Sequence, residues 1–82
     1  MSRLLRWLSF GATSRVSRDE ARAIAQATCA SRGLPWNQPV KVYRHYGDWQ
    51  VWTAANTRGG NVRVIVDGGS GEVKRVAGPL PR

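Results

Sequence analysis

The sequence is poor in the residues that cross-link or metallate small domains. Cys29 is the one cysteine and His45 the one histidine among 82 residues. A single cysteine excludes an internal disulfide, and one Cys with one His cannot supply the ligands of a Cys/His zinc site. We therefore expect no metal and no cofactor, so that the fold must be held together by its core alone.

Long apolar runs are also missing. No stretch approaches the roughly 20 apolar residues of a membrane span. The signal-like start is interrupted by Arg6, and no apolar region of about 7–15 residues follows it. We therefore expect a cytoplasmic protein, with a peripheral position at the inner membrane as the alternative.

Acidic residues are scarce as well. Thirteen Lys and Arg stand against five Asp and Glu, which gives a formal net charge of +8. This charge favours anionic partners, namely nucleic acid, an anionic membrane or an acidic protein, and says nothing about fold. The 41% of hydrophobic and 22% of charged residues are typical of a folded protein, and the length allows one domain at most.

The chain divides into three parts. Residues 1–15 form a basic leader studded with apolar residues, residues 16–77 a single α+β domain, and residues 78–82 a Pro-rich tail. The leader is interpreted either as a flap over the core or as a short amphipathic segment that rests on anionic lipid. In the second interpretation the residues at the membrane surface are Arg3, Leu4, Arg6, Trp7 and Leu8.

Residues 17–32 have the pattern of an amphipathic helix. Ser17 and Glu20 fit a capping box, in which each side chain bonds the backbone amide of the other residue. The apolar stripe consists of Ala21, Ile24, Ala25 and Thr28, with Cys29 at its edge. Gly33 stands where a left-handed residue ends a helix, and Pro35 prevents continuation.

Residues 39–77 contain four β-rich runs separated by turn residues. The runs are 39–46, 48–55, 61–67 and 72–76. Together with the helix they predict an α+β fold, in which one amphipathic helix packs on a three- to four-stranded antiparallel meander sheet. The predicted core is Ile24, Ala25, Val40, Val42, Val51, Val62, Val64, Val66 and Val73.

The first two runs meet at Gly47-Asp48, which predicts a hairpin. Glycine at the first turn position suits a type II′ turn. This register sets Tyr43 directly opposite Trp52. Because side chains alternate along a strand, we expect this aromatic pair on the sheet face that points away from the helix.

That outward face is the candidate binding surface. Aromatic rings beside Arg and Lys suit a hot spot for an acidic protein partner. They also suit single-stranded nucleic acid, which needs π-faces for its bases and positive charge for its phosphates. A third interpretation is ordinary strand chemistry with no partner. The candidate residues are Lys41, Tyr43, His45, Trp52, Arg63 and Lys74.

Candidate catalytic groups are few. A nucleophile needs a base and an orienting group, but Cys29 falls on the inner edge of the helix and His45 near the hairpin tip. Asp67 precedes a turn, where its ordinary role is to bond the following amides. The glycine-rich stretch 68–71 lacks the Gly-Lys-Ser/Thr of a phosphate loop. We expect no enzymatic activity.

One longer pattern runs along residues 17–76. A helix beginning Ser17-Arg-Asp-Glu is followed by Trp49-Gln-Val51, a Gly-Gly loop, Val64-Ile-Val-Asp67 and Ser70-Gly-Glu-Val73. This order resembles a PepSY domain, and also small bacterial immunity proteins of the cystatin-like, nuclear-transport-factor-like group. The resemblance implies a non-catalytic binding or inhibitory module with a peptidase or a toxin as its target. It carries over no catalytic residue and leaves monomer and homodimer both open.

Overall fold

The structure, a computed structural model, describes residues 15–79. Its elements in chain order are helix α1 (Arg18–Arg32) and strands β1 (Lys41–His45), β2 (Asp48–Trp52), β3 (Arg63–Asp67) and β4 (Val73–Ala77). The four strands form one antiparallel sheet in the order β1-β2-β3-β4, and α1 packs on one face of it. The predicted α+β fold is confirmed.

The N-terminal capping box and the C-terminal glycine cap of α1 both form as the sequence predicts. Ser17 Oγ accepts a hydrogen bond from the Glu20 amide at 3.1 Å, and Glu20 Oε1 accepts one from the Ser17 amide at 2.7 Å. At the other end Gly33 is left-handed, with φ 69°, and the Leu34 amide donates to the Cys29 carbonyl at 2.8 Å. Across residues 15–79 there is no helix with the length and apolar character that a bilayer crossing requires.

The core lies between α1 and the inner face of the sheet, which is the face turned towards α1. It consists of Val16, Ala21, Ala25, Cys29, Val42, Val51, Val62, Val64 and Val66. The predicted core residues Ile24, Val40 and Val73 are partly buried and pack against this cluster. Small side chains on the buried stripe of α1 let the helix approach the valine surface closely.

Val16, just before the helix, is a core residue that the sequence pattern does not predict. Its amide donates to the Gly68 carbonyl at 2.9 Å, and its carbonyl accepts from Trp49 Nε1 at 2.9 Å. These two bonds tie the chain before α1 to the end of the sheet.

The first hairpin turns one residue earlier than predicted. His45 pairs with Asp48, so the turn residues are Tyr46 and Gly47. Both have positive φ, 50° and 83°, which is typical of a type I′ turn rather than the predicted type II′. Gly47 takes the second turn position without strain, and its carbonyl accepts from the Gly68 amide at 3.0 Å. That tertiary bond leaves no trace in the local pattern.

The earlier turn changes the partners of the aromatic residues but not their face. Tyr43 lies opposite Gln50, and Trp52 lies opposite Lys41. The predicted direct pairing of Tyr43 with Trp52 is therefore wrong, and the two rings occupy diagonal positions. Because the register of β1 against β2 moves by two residues rather than one, the residues that pair in these two strands stay on their predicted sides of the sheet.

Strand β2 ends before residue 55, where the sequence pattern extended it. Ala54 has a positive φ of 48°, and its amide turns to the Asn37 carbonyl at 2.7 Å. Asn61 is buried here and donates from Nδ2 to the carbonyls of Thr53 and Ala54 at 3.0 and 2.7 Å. This side chain replaces the ladder bonds that a longer strand would make.

Candidate binding surface

The outer face of the sheet, opposite α1, gathers all six predicted partner-binding residues. No helix or strand within residues 15–79 covers this face. Directly opposed residues of an antiparallel sheet share a face. The pairing therefore arranges the outer face in three rows. The basic row is Lys41, Trp52, Arg63 and Ala77, the middle row is Tyr43, Gln50, Ile65 and Arg75, and the hairpin row is His45, Asp48 and Asp67 with Lys74.

The basic row is organised around one stacked pair. The guanidinium carbon of Arg63 lies 5.2 Å from the centroid of the Trp52 ring directly opposite, a cation–π distance. Arg63 Nε is buried and has no hydrogen-bond partner within residues 15–79. Lys41 lies on the other side of Trp52 and is exposed. The indole of Trp52 therefore lies between Lys41 and Arg63, and it orients the Arg63 guanidinium.

The middle row carries the exposed aromatic ring of the face. Tyr43 is 47% exposed, whereas Gln50 and Ile65 are half-buried. Arg75 ends the row because of a bulge. Ile65 pairs with Arg75 while Val66 pairs with Val73, so that Lys74 is an extra residue. With strict alternation along β4, Arg75 would lie on the inner face. The sequence contains no signal that predicts the bulge.

The hairpin row carries two carboxylates, Asp48 and Asp67, and one lysine, Lys74. Lys74 Nζ lies 3.1 Å from Asp48 Oδ2, and the hydrogen bond and charge of Asp48 raise the pKa of Lys74. Asp67 Oδ1 accepts from the amides of Ser70 at 2.9 Å and Gly69 at 2.7 Å, and these two bonds lower the pKa of Asp67. The predicted turn-capping role of Asp67 is confirmed.

On the outer face, positive charge without a nearby acidic side chain is thus concentrated away from the hairpin row. Within residues 15–79 the one ion pair joins Lys74 to Asp48. Lys41, Arg63 and Arg75 have no such partner in that part of the chain and occupy the basic and middle rows. The outer face is therefore polarised, with a cationic end and, at the hairpin row, a weakly acidic end.

The hairpin tip adds a residue that the sequence analysis missed. Tyr46 is 93% exposed, and its ring meets the His45 ring edge to face, with centroids 4.5 Å apart and planes at 77°. Gly68 packs directly against this turn. A side chain at position 68 would collide with the Gly47 carbonyl oxygen. The sequence signal that could have identified Tyr46 is an aromatic residue directly before the turn glycine, Gly47.

The candidate nucleophile and base are kept apart. Cys29 is buried between α1 and the inner face, and burial raises the pKa of its thiol. His45 is exposed on the outer face, so the sheet separates the two side chains. Within residues 15–79 no three His, Cys, Asp or Glu side chains gather in a way that could hold a metal ion.

The residues predicted to contact lipid cannot be placed on this surface. Arg3, Leu4, Arg6, Trp7 and Leu8 lie outside the described residues. Their membrane role stays a prediction.

Comparisons of the chain with protein-family models, with curated proteins and with solved structures found no match. The resemblance to PepSY domains and to small immunity proteins therefore rests on the order of the motifs alone and stays a prediction.

Proposed function

We propose that this domain is a non-catalytic binding or inhibitory module that recognises an acidic protein through the outer face of its sheet. The observation that carries the proposal is the Trp52–Arg63 stack in the basic row. The resemblance to PepSY domains and immunity proteins supports a peptidase or a toxin in the cytoplasm as the inhibited partner.

The stack suits an oxyanion such as the carboxylate of an acidic side chain. A guanidinium presents N–H donors in a planar fork that matches both oxygens of a carboxylate. Stacking on Trp52 orients that fork before any partner arrives, which reduces the entropy lost on binding. Lys41 and Arg75 extend the positive charge on either side. Trp, Tyr and Arg are also the residues most enriched in interface hot spots.

Single-stranded nucleic acid is the alternative partner, and the geometry supports it less. Stacked bases need free aromatic faces. Trp52 is half-buried, and the Arg63 guanidinium lies over its ring. Tyr43, at 47% exposure, is the more open ring in these rows. The next open ring, Tyr46, lies beyond these rows at the hairpin tip, beside the carboxylates of Asp48 and Asp67 that would repel phosphates.

Binding of a short fluorescent poly-glutamate peptide tests the proposal. Removing the fork in Arg63→Gln is expected to weaken binding about tenfold, the size of a lost charged hydrogen bond. Arg63→Lys keeps the charge without the fork and should recover only part of the affinity. Arg22→Gln removes the same charge from an exposed position on α1 and serves as the matched control.

Two results would contradict the proposal. Equal losses in Arg63→Gln and Arg22→Gln would show that net charge alone attracts the peptide. Tighter, steeply salt-dependent binding of single-stranded DNA or RNA between about 50 and 200 mM salt would favour the nucleic-acid alternative.

A further inference from the structure

We infer that the hairpin tip is a second contact of the same interface, at which Tyr46 packs against an aromatic side chain of the partner, at the end of the outer face opposite the basic row. The inference rests on the proposed function and adds to it a second recognition element with its own chemistry.

The outer face is a narrow platform. Four strands about 4.8 Å apart and five residues at about 3.3 Å each span a projected area of roughly 300 Å². A partner that buries the roughly 800 Å² of accessible surface usual for a stable interface would also contact residues at the margin of this face, and the hairpin row leads directly to Tyr46.

Tyr46 is an unfavourable residue for the fold at this position. It takes the first place of a type I′ turn with φ 50°, where Asn, Asp and Gly are preferred because other side chains are strained. At 93% exposure, its ring buries almost no surface in return. The described side-chain contact of the ring is the edge-to-face packing on His45, and a strained residue that exposes a large ring suggests a role in function.

The backbone of the tip is also held in place. The Gly47 carbonyl accepts from the Gly68 amide at 3.0 Å, and the Gly68 carbonyl accepts from the Val16 amide at 2.9 Å. These bonds join the first turn, the last turn and the start of the domain. A residue on a turn fixed in this way loses little backbone freedom when it binds.

The kind of side chain that fits follows from the two rings at the tip. His45 and Tyr46 meet at 77° and form an open aromatic corner. A third aromatic ring packs favourably on such edges and faces. His45 belongs to the outer face, so the corner adjoins that face at its hairpin row, and the basic row that would hold the acidic residues lies at the other end.

Two peptides of equal charge test this inference. Both are rich in glutamate, and one carries tyrosine at regular intervals where the other carries alanine. We expect the unmodified protein to bind the tyrosine peptide about 2–12-fold more tightly, the range of one aromatic pair. Tyr46→Asn should bind both peptides equally, with the affinity that the unmodified protein shows for the alanine peptide. Tyr46→Phe keeps the ring and should keep the preference.

Thermal unfolding supplies an independent measurement. Because asparagine accepts the left-handed conformation, Tyr46→Asn should raise Tm by about 4–8 °C. A variant that is more stable and yet has lost the peptide preference supports the inference.

The outcomes separate this inference from the proposed function. If neither peptide binds, the proposed function and the inference fail together. If both bind and Tyr46→Asn retains the tyrosine preference, or Tyr46→Asn is no more stable than the unmodified protein, only the inference is overturned.

Discussion

The two faces of the sheet are built from the same five-residue strands, yet they differ in composition and in surroundings. The inner face presents Val51, Val64 and Val66, each with no exposed surface, to a helix stripe of Ala and Cys. The outer face mixes aromatic, cationic, acidic and amide side chains, and none of them is fully buried. Since neighbouring residues in one strand serve these two surfaces, stability and recognition are encoded at alternate positions. Substitutions one residue apart should therefore have very different effects.

The largest difference is expected between Val64→Asp and Ile65→Asp. A carboxylate at 64 would be buried among valines without a partner, at a cost of about 4 kcal/mol or more. That is the whole stability of a domain this small, about 3–5 kcal/mol. Ile65 is half-buried and lies opposite Arg75, so Ile65→Asp should remain folded with a loss of about 1 kcal/mol. Circular dichroism and urea unfolding measure both.

Unfolding of both variants to a similar extent would show that the outer face is as essential to the core as the inner one. The comparison of the faces would then be wrong.

A smaller difference is expected between Trp49→Phe and Trp52→Phe. Trp49 lies on the inner side, and its Nε1 donates to the Val16 carbonyl at 2.9 Å. Its replacement should cost about 1–2 kcal/mol, because a partly buried hydrogen bond is lost. In Trp52→Phe a ring remains under Arg63, so the free energy of unfolding should change by less than about 0.5 kcal/mol. Urea unfolding followed by circular dichroism separates the two variants, and equal losses would contradict the assignment of roles.

The smallest effect concerns the acid stability that Asp67 contributes. Amides of Ser70 and Gly69 lower the pKa of Asp67. The carboxylate therefore stabilises the fold above the ordinary Asp pKa of about 4, and this contribution disappears as the pH falls through the lower folded-state pKa. Asp67→Asn should be less stable than the unmodified protein at neutral pH, by less than about 1 kcal/mol because solvent screens this site.

Urea unfolding between neutral and strongly acidic pH measures this effect. The difference between Asp67→Asn and the unmodified protein should shrink towards zero as the pH falls. The control is Glu72→Gln, which removes a carboxylate from the same turn. The carboxylate oxygens of Glu72 accept no hydrogen bond within the described residues. A constant difference across pH for Asp67→Asn would show that its charge is irrelevant.

What the sequence predicts well is set by local forces. The capping box of Ser17 and Glu20 and the left-handed Gly33 involve residues three to five positions from their partners, so the bounds of the helix can be derived from propensity and hydrogen-bond geometry. Alternation then assigns each strand residue to a face. That is sufficient to predict that six candidate binding residues share one surface.

What the sequence does not reveal depends on contacts between distant segments. The turn at Tyr46-Gly47 is held by Gly68, some twenty residues further along the chain. The bulge that brings Arg75 to the outer face arises from the pairing of β3 with β4. Val16 enters the core through bonds to Gly68 and Trp49. No periodic pattern records such bonds, so the register and part of the site could not be predicted.

The bonds from Val16 to Gly68 and from Gly68 to Gly47 also fix where the chain enters the folded domain. The N-terminal segment is attached beside the hairpin tip, whereas Ala77 lies in the basic row at the far end of the sheet. A bulky fusion or surface tether placed before Val16 would crowd Tyr46, and one placed after Ala77 would crowd Arg63. Assays that immobilise the protein by one end and then by the other would therefore obstruct different halves of the proposed interface.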